Sequence, residues 1–334
     1  MEKEEAERLE ICGEYAYQEM LKNIEHDLKE FGIEFDSWFS ERTLHPDKIQ
    51  HAIDLLDQKG FIYEKEDAIW FKSSEFDDDK DRVIIKSDGS PTYLAADMAY
   101  HLDKLERGFD KLINVWGADH HGYVERMKAV VEALGYKKES LKIILVQLVS
   151  LLRDGKEITM SKRSGEFVTL REVVEETGVD AARYFYVHRS SDSHLDFDLE
   201  LAKEESTDNP VYYIQYAHAR ICSILEQMEE EGIELSPLDE VELTKLKEEA
   251  ELDLLSKLAS YPREIAESAQ SREVHHVARF LYDLATLFHK FYNKCHVLIE
   301  DKELMKARII LVLVSKQVLL NVLEILGVSA PENM

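Results

Sequence analysis

Cysteine is scarce in this chain: there are three in 334 residues, at positions 12, 222 and 295. An odd number at such wide spacing fits neither a disulfide framework nor a zinc knuckle, and a reducing cytoplasm is the simplest setting. Long apolar runs are missing as well. The longest near the carboxyl end, "IILVLV" from Ile309 to Val314, is cut off by Lys316 and is too short to cross a bilayer. The opening "MEKEEAERLE" is charged and lacks the apolar core of a secretory signal. No membrane partner is expected. Positive charge is in short supply, with 41 Lys and Arg against 68 Asp and Glu and a formal net charge of −27. That balance argues against a general nucleic-acid binder, because a polyanion needs local positive potential. No internal repeat and no low-complexity segment is found.

What is present describes a globular protein, 45% apolar and 33% charged, long enough for two domains and a sizeable core. The acid is concentrated rather than spread. Residues 224–254 hold 12 acidic and 2 basic side chains, whereas residues 271–322 hold 8 basic, 5 acidic and four histidines. A local RNA footprint therefore stays open in the carboxyl-terminal region.

The pattern predicts helices over residues 3–30 and in "HPDKIQHAIDLLDQKG", then a hairpin in "FIYEKEDAIWF", a solvated acidic loop "EFDDDKDR" and a short strand "RVIIK". Strand and helix then alternate: a helix in "TYLAADMAYHLDKLE", a buried strand in "KLINVWG", a helix from the paired histidines, and one buried strand in "LKIILVQLVSLL". Such alternation indicates a parallel α/β sheet with covered faces. Beyond Glu204 strand signals stop, and Asn209 to Leu326 reads as four or five amphipathic helices. The domain boundary is expected near residues 199–208, giving domains 1–204 and 205–334.

Three constellations carry chemistry. In "SDGSPTYLAAD" a helix start places Tyr93 and Asp97 one turn apart, where a phenol and a carboxylate can grip a cation; a half-buried tyrosine beside a solvated aspartate is the plainer alternative. In "VWGADHHGY" a strand ends in Gly117, Asp119, His120 and His121, at the carboxyl end of a parallel sheet, where ligands bind. Simple helix capping by Asp119 and an Asp-His-His metal set are the alternatives, and no second motif at matching spacing supports the metal. In "ITMSKRSGEF" a hydroxyl and two cations, Ser161, Lys162 and Arg163, precede a glycine, a loop able to neutralise a departing phosphate group. A basic surface turn has the same letters.

Taken in order, these segments resemble a known family. "MSKR" after a strand resembles the second signature of class I aminoacyl-tRNA synthetases. "SDGSPTYLAADMAYHLDKLERGFDKLINVWGADHHGY", "MSKRSGEFVTLREVV" and "DNPVYYIQYAHARICSIL" resemble successive segments of bacterial arginyl-tRNA synthetases, from about Glu10 to Met334. The resemblance implies an α/β part with a partial Rossmann-like parallel sheet and a small β-hairpin insertion, followed by an all-α anticodon-binding bundle. It implies that Tyr93 and Asp97 bind L-arginine, with His121 in the same pocket or the adjoining nucleotide site, and that Gly117, Asp119, His120 and Met160 border ATP. Ser161, Lys162 and Arg163 would hold the triphosphate, with Lys162 the working cation and Mg2+ riding on the phosphates; no tightly bound metal is implied. On the helical domain, Tyr213, Tyr216 and Arg220 share one helix face suited to tRNA(Arg), and Met334 ends a tail the family places near the anticodon. Core packing of the two tyrosines is the competing reading.

Two departures stand out. Thr159 occupies the place of the first lysine of the loop signature, as in many arginyl enzymes, and no H-x-G-H pattern occurs in the 334 residues. The chain thus resembles the carboxyl-terminal part of the enzyme. By itself it is expected to be inactive in arginine activation, and prone to associate through an exposed sheet edge where the full enzyme is monomeric. A non-catalytic tRNA-binding paralogue and a metal-dependent phosphoesterase built on "DHH" remain the competing classes.

Overall fold

In this computed structural model, residues 5–158 and 168–334 are described. In chain order they form α1 (Glu5–Glu30), α2 (Asp47–Gln58), β1 (Ile62–Lys65), β2 (Ala68–Phe71), β3 (Arg82–Ile85), α3 (Tyr93–Glu106), β4 (Leu112–Gly117) and α4 (Val124–Ala133). Then follow β5 (Leu141–Val146), β6 (Val149–Arg153), β7 (Lys156–Glu157), α5 (Leu170–Thr177), α6 (Val179–Val187), β8 (Leu195–Asp198) and α7 (Leu199–Lys203). The long helices α8 (Pro210–Glu230), α9 (Glu249–Ser271), α10 (His275–Lys294) and α11 (Lys302–Leu326) complete it. The expected α/β-then-all-α order is what the structure has. By compactness the chain divides into one unit of residues 35–148 and 191–194, and another of 1–34, 149–190 and 195–334. The 204/205 boundary is a division by type of element and is a separate matter.

The first unit is built on α3. Buried Leu94, Ala95, Met98, Ala99, Leu102 and Leu105 recur every three to four residues, so one helical stripe faces the core. Thr92 precedes the helix with extended backbone, and its hydroxyl donates to Val83 O at 3.1 Å, tying the helix start to β3. The hairpin β1–β2 pairs antiparallel as expected, with β3 added on its other side. β4 and β5 pair in parallel, Leu112 opposite Leu141 through Gly117 opposite Val146.

Two strand expectations need correction. "LKIILVQLVSLL" is not one strand: it breaks after Val146, and β6 belongs to another sheet, ordered β7-β6-β8. Nor is β4 buried throughout. Leu112 is 5% exposed but Ile113 is 50% and Val115 64%, so one face is packed and the other open. An apolar run cannot distinguish these cases, because periodicity reports polarity and not which faces a neighbour covers. The paired histidines also lie inside a 3-10 turn, Ala118–Tyr123, and α4 proper starts only at Val124.

In the second unit Thr169 and Glu172 close a capping box on α5, and Asn209 caps α8 ahead of Pro210. Helix α11 runs 25 residues and by length and composition could cross a membrane, a property that the six-residue apolar run concealed; half of its apolar window is buried inside the protein. Its one deeply buried charge, Arg308, donates to Glu251 at 2.7 Å and to His296 O at 2.6 Å. Glu251 also accepts from the backbone of Lys247 and Glu248, so its carboxylate is fully engaged at the start of α9. Breaking such a pair leaves a charge without a counter-charge, whereas replacing both partners does not. Arg308→Met is expected to lower unfolding free energy by roughly 3–5 kcal/mol in urea denaturation, and Arg308→Met with Glu251→Gln to lose less. A single variant within ~1 kcal/mol of the wild type would contradict this account of the pair.

Candidate functional site

Among the candidate residues of the first unit, Asp97 lies on the second turn of α3. Its carboxylate is half-buried, and Tyr123 Oη donates to Oδ2 at 2.8 Å. Burial pushes the Asp97 carboxyl above its usual range, the Tyr123 bond pulls it down, and the negative charge of Glu41 pushes it up again. Burial also raises the Tyr123 phenol, reinforced by the Asp97 charge, so the tyrosine keeps its proton and acts as donor. Beside Asp97 lies a cavity of about 280 Å³ lined by Phe39, Glu41, Leu44, Ala96, Asp97 and Tyr100. Phe39 and Tyr100 stack with ring centroids 4.5 Å apart. Two carboxylates and this stacked aromatic pair therefore line one small space.

The backbone of Asp97 is fixed from the other side. His101 Nδ1 lies 2.7 Å from Asp97 O, and His101 Nε2 lies 2.8 Å from Asn114 Nδ2. Asn114 Oδ1 accepts from Lys104 at 3.3 Å. Only one assignment satisfies all three: Lys104 donates to Asn114, Asn114 donates to Nε2, and Nδ1–H donates to the Asp97 carbonyl. His101 is therefore neutral. Burial lowers its pKa to about 4, and the Lys104 charge adds to the effect. This row ties α3 to β4.

Tyr93 opens α3, 87% exposed, one turn before Asp97. Gly117, Asp119, His120 and His121 are exposed at the carboxyl end of β4. Asp119 folds back over Gly117, whose missing β-carbon would sit 2.5 Å from Asp119 Oδ1. Any other residue at 117 displaces that carboxylate. His120 is 3.8 Å from Asp119 Oδ2, with its ring 6.1 Å from that of Trp116. Among the described residues, no group of three or more His, Cys, Asp and Glu is arranged to hold a metal ion. Met160, Ser161, Lys162 and Arg163 lie outside the described residues. Glu41 and Tyr123 carry no assignment from the sequence: Tyr123 is the last letter of a quoted motif, and Glu41 sits 56 positions before Asp97 with no local signal.

In the second unit Tyr213, Tyr216 and Arg220 converge, as their spacing predicts, on His289. The rings of Tyr213 and Tyr216 lie 4.5 and 5.9 Å from it, and Arg220 Nη1 lies 3.2 Å from His289 Nδ1. The Arg220 guanidinium is sandwiched, 4.3 Å from the Tyr216 ring and 4.6 Å from that of Tyr292. Met334 stands apart, lining a cavity of about 640 Å³ with Tyr212 and Gln215 among others. The tail before it is pinned by Ser329 on Asp180 and by Pro331 O on His218 Nδ1 at 2.8 Å.

Residues 6–196 match the family "tRNA synthetases class I (R), catalytic domain", and residues 214–334 match the "DALR anticodon binding domain". Over 335 aligned residues the chain is 54% identical to an arginine–tRNA ligase of Desulforamulus reducens, covering all of this chain and 60% of that protein. It is 50% identical to the arginine–tRNA ligase of Bacillus subtilis, over 99% of this chain and 60% of that one. The fold matches a crystal structure of a putative arginyl-tRNA synthetase from Campylobacter jejuni with a TM-score of 0.87 at 37% identity, covering 96% of this chain and 69% of that chain. The chain thus spans about 60% of the length of the curated relatives it matches.

The stability of the first unit should carry the signature of His101. A histidine whose pKa is depressed on folding contributes stability that is complete above about pH 6.5 and is lost as the pH falls toward about 4. The loss across that window is expected to be roughly 3 kcal/mol, and His101→Gln should remove that part of the pH dependence in denaturant titrations. An identical slope in the variant would contradict the neutral, buried imidazole.

Proposed function

This chain belongs to the class I arginyl-tRNA synthetase family, and from that premise we propose that it supplies the arginine-gripping wall of an arginine–tRNA ligase and the domain that reads tRNA(Arg). The observation that carries this reading is the cavity at Asp97. A guanidinium is flat, always charged and forked, so it can bond Asp97 and Glu41 together beside the stacked rings of Phe39 and Tyr100. Tyr93 and His121 border the rest of the amino acid. Gly117, Asp119 and His120 receive the ribose and adenine of ATP, and Met160, Ser161, Lys162 and Arg163 hold its phosphates.

In the parent reaction an arginine carboxylate oxygen attacks the α-phosphate, pyrophosphate leaves and arginyl-adenylate forms. The 3′ ribose hydroxyl of the tRNA then attacks the arginyl carbonyl, and AMP leaves. Mg2+ would neutralise charge on the phosphates; the described residues offer no carboxylate cluster of their own for it. This chain's part is positioning by Asp97 and Glu41 and charge neutralisation by Lys162 and Arg163. We assign residues 1–204 to the catalytic side and 205–334 to the anticodon side, with a cytoplasmic setting. The open edges of β4 and β5 give the chain by itself a surface for association.

The 334 residues alone are expected to give no arginine-dependent ATP–pyrophosphate exchange. Adding an H-x-G-H-bearing amino-terminal segment from a relative should restore exchange, and Asp97→Asn or Glu41→Gln should reduce it about 10–100-fold, the effect of losing one charged hydrogen bond. Exchange by the unsupplemented chain, or indifference to both substitutions, would sink the assignment. The helical domain is expected to bind tRNA with an arginine anticodon weakly, with affinity falling as salt rises, and Arg220→Ala should weaken that binding and flatten its salt dependence. Equal binding of unrelated tRNAs at physiological salt would refute the anticodon role.

A further inference from the structure

A carboxylate on a helix has two freedoms that blur its aim: rotation about its side-chain bonds, and exchange of its two oxygens. At Asp97 both are restricted. Tyr123 Oη holds Oδ2 at 2.8 Å, and His101 holds the carbonyl of the same residue at 2.7 Å. The tyrosine is itself held. Its ring lies 5.9 Å from that of Trp116, and the guanidinium of Arg126 lies 4.8 Å from its centroid. Arg126 Nε is buried without a hydrogen-bond partner, 3.6 Å from Asp78 Oδ2. Asp78, with its side chain 4% exposed, is gripped by Arg82 through bonds of 2.7 and 2.8 Å. Burial disfavours the Asp78 charge, but the Arg82 bonds overcome it and hold the carboxyl well below its usual range, so a fixed anion anchors Arg126. From Arg82 to Asp97 runs one packed row of charge, ring and hydroxyl, longer than a hydrophobic core requires.

We propose that Tyr123 is the positioning residue for Asp97: its hydroxyl occupies Oδ2, so that Asp97 offers Oδ1 alone and in one direction to an incoming guanidinium, while Arg126 and Asp78 keep the ring in register. The inference rests on the reading of the cavity as a guanidinium pocket and adds what selects the cation. With one oxygen taken, Asp97 and Glu41 present two separated acceptors. A forked guanidinium reaches both at once, whereas the single ammonium of lysine does not. Removing the Tyr123 hydroxyl frees Asp97 to turn both oxygens on one donor, which a lysine uses as well as an arginine.

The test uses the full chain with 13C-labelled aspartate, comparing wild type, Tyr123→Phe and Asp97→Asn by NMR during titration with L-arginine and L-lysine. Loss of a signal in Asp97→Asn identifies the Asp97 resonance. In Tyr123→Phe arginine is expected to bind roughly 10-fold more weakly with lysine changed less than about 2-fold, the effect of one hydrogen bond. The Asp97 titration should move to higher pH, because the lost donor favoured the ionised form. The titratable and charged groups facing Asp97 in this titration are Glu41, Lys104, His120 and the neutral Tyr123. If arginine leaves the Asp97 signal unmoved in the wild type, the pocket reading falls and this proposal with it. If arginine moves it, but Tyr123→Phe changes neither the titration nor the arginine-to-lysine ratio, the positioning role alone is overturned. Should Tyr123→Phe unfold the chain, Arg126→Met loosens the same ring and should shift both readouts the same way; no shift would equally overturn the proposal.

Discussion

A carboxylate half withdrawn from water must be given donors or give up its charge, and the first unit is organised around that requirement at Asp97. Tyr123 supplies one donor and Lys104 and His120 a favourable field, while Glu41 opposes ionisation from across a small cavity. The balance leaves a half-buried carboxylate beside the cavity, with Tyr123 bonded to its Oδ2. Stability and binding draw on the same groups. His101, neutral and buried, holds the backbone beneath Asp97 and joins α3 to β4, the strand whose end carries Gly117 and Asp119. Moving α3 against β4 would therefore move the amino-acid side of the proposed site against the nucleotide side.

The second unit solves the same problem with different partners. Arg308 is buried against Glu251 and a backbone carbonyl, a closed arrangement with no open acceptor, and it reads as a staple between α9 and α11. Arg220 is held instead by two aromatic faces, a neutral histidine and the Tyr216 hydroxyl, none of which carries a negative charge. A guanidinium so framed keeps its full attraction for an anion, which suits contact with a nucleic-acid backbone in an otherwise acidic chain. The contrast between a neutralised arginine and an unneutralised one separates structure from proposed recognition without reference to position in the chain.

Much of this was legible beforehand. Long helices with one apolar stripe, the β1–β2 hairpin and the shared face of Tyr213, Tyr216 and Arg220 follow from spacing alone, because helix and strand periods fix which side chains can meet. Segments with two covered faces, or one, look alike in sequence, so the break between β5 and β6 and the open face of β4 were hidden. The Asp97 pocket was half legible. Tyr93 and Asp97 stand one turn apart as read, but Glu41 and Tyr123 arrive through tertiary packing from 56 residues before and 26 after, a juxtaposition no local pattern encodes. The "MSKR" loop lies outside the described residues, and its role continues to rest on the sequence.

The most direct test of the central claim is a crystal structure of this chain grown with L-arginine. The account predicts the guanidinium between Asp97 and Glu41, beside the stacked pair of Phe39 and Tyr100, with Tyr123 still bonded to the far oxygen of Asp97. Arginine bound elsewhere, or an Asp97 carboxylate turned away from Tyr123 to meet it, would contradict that claim.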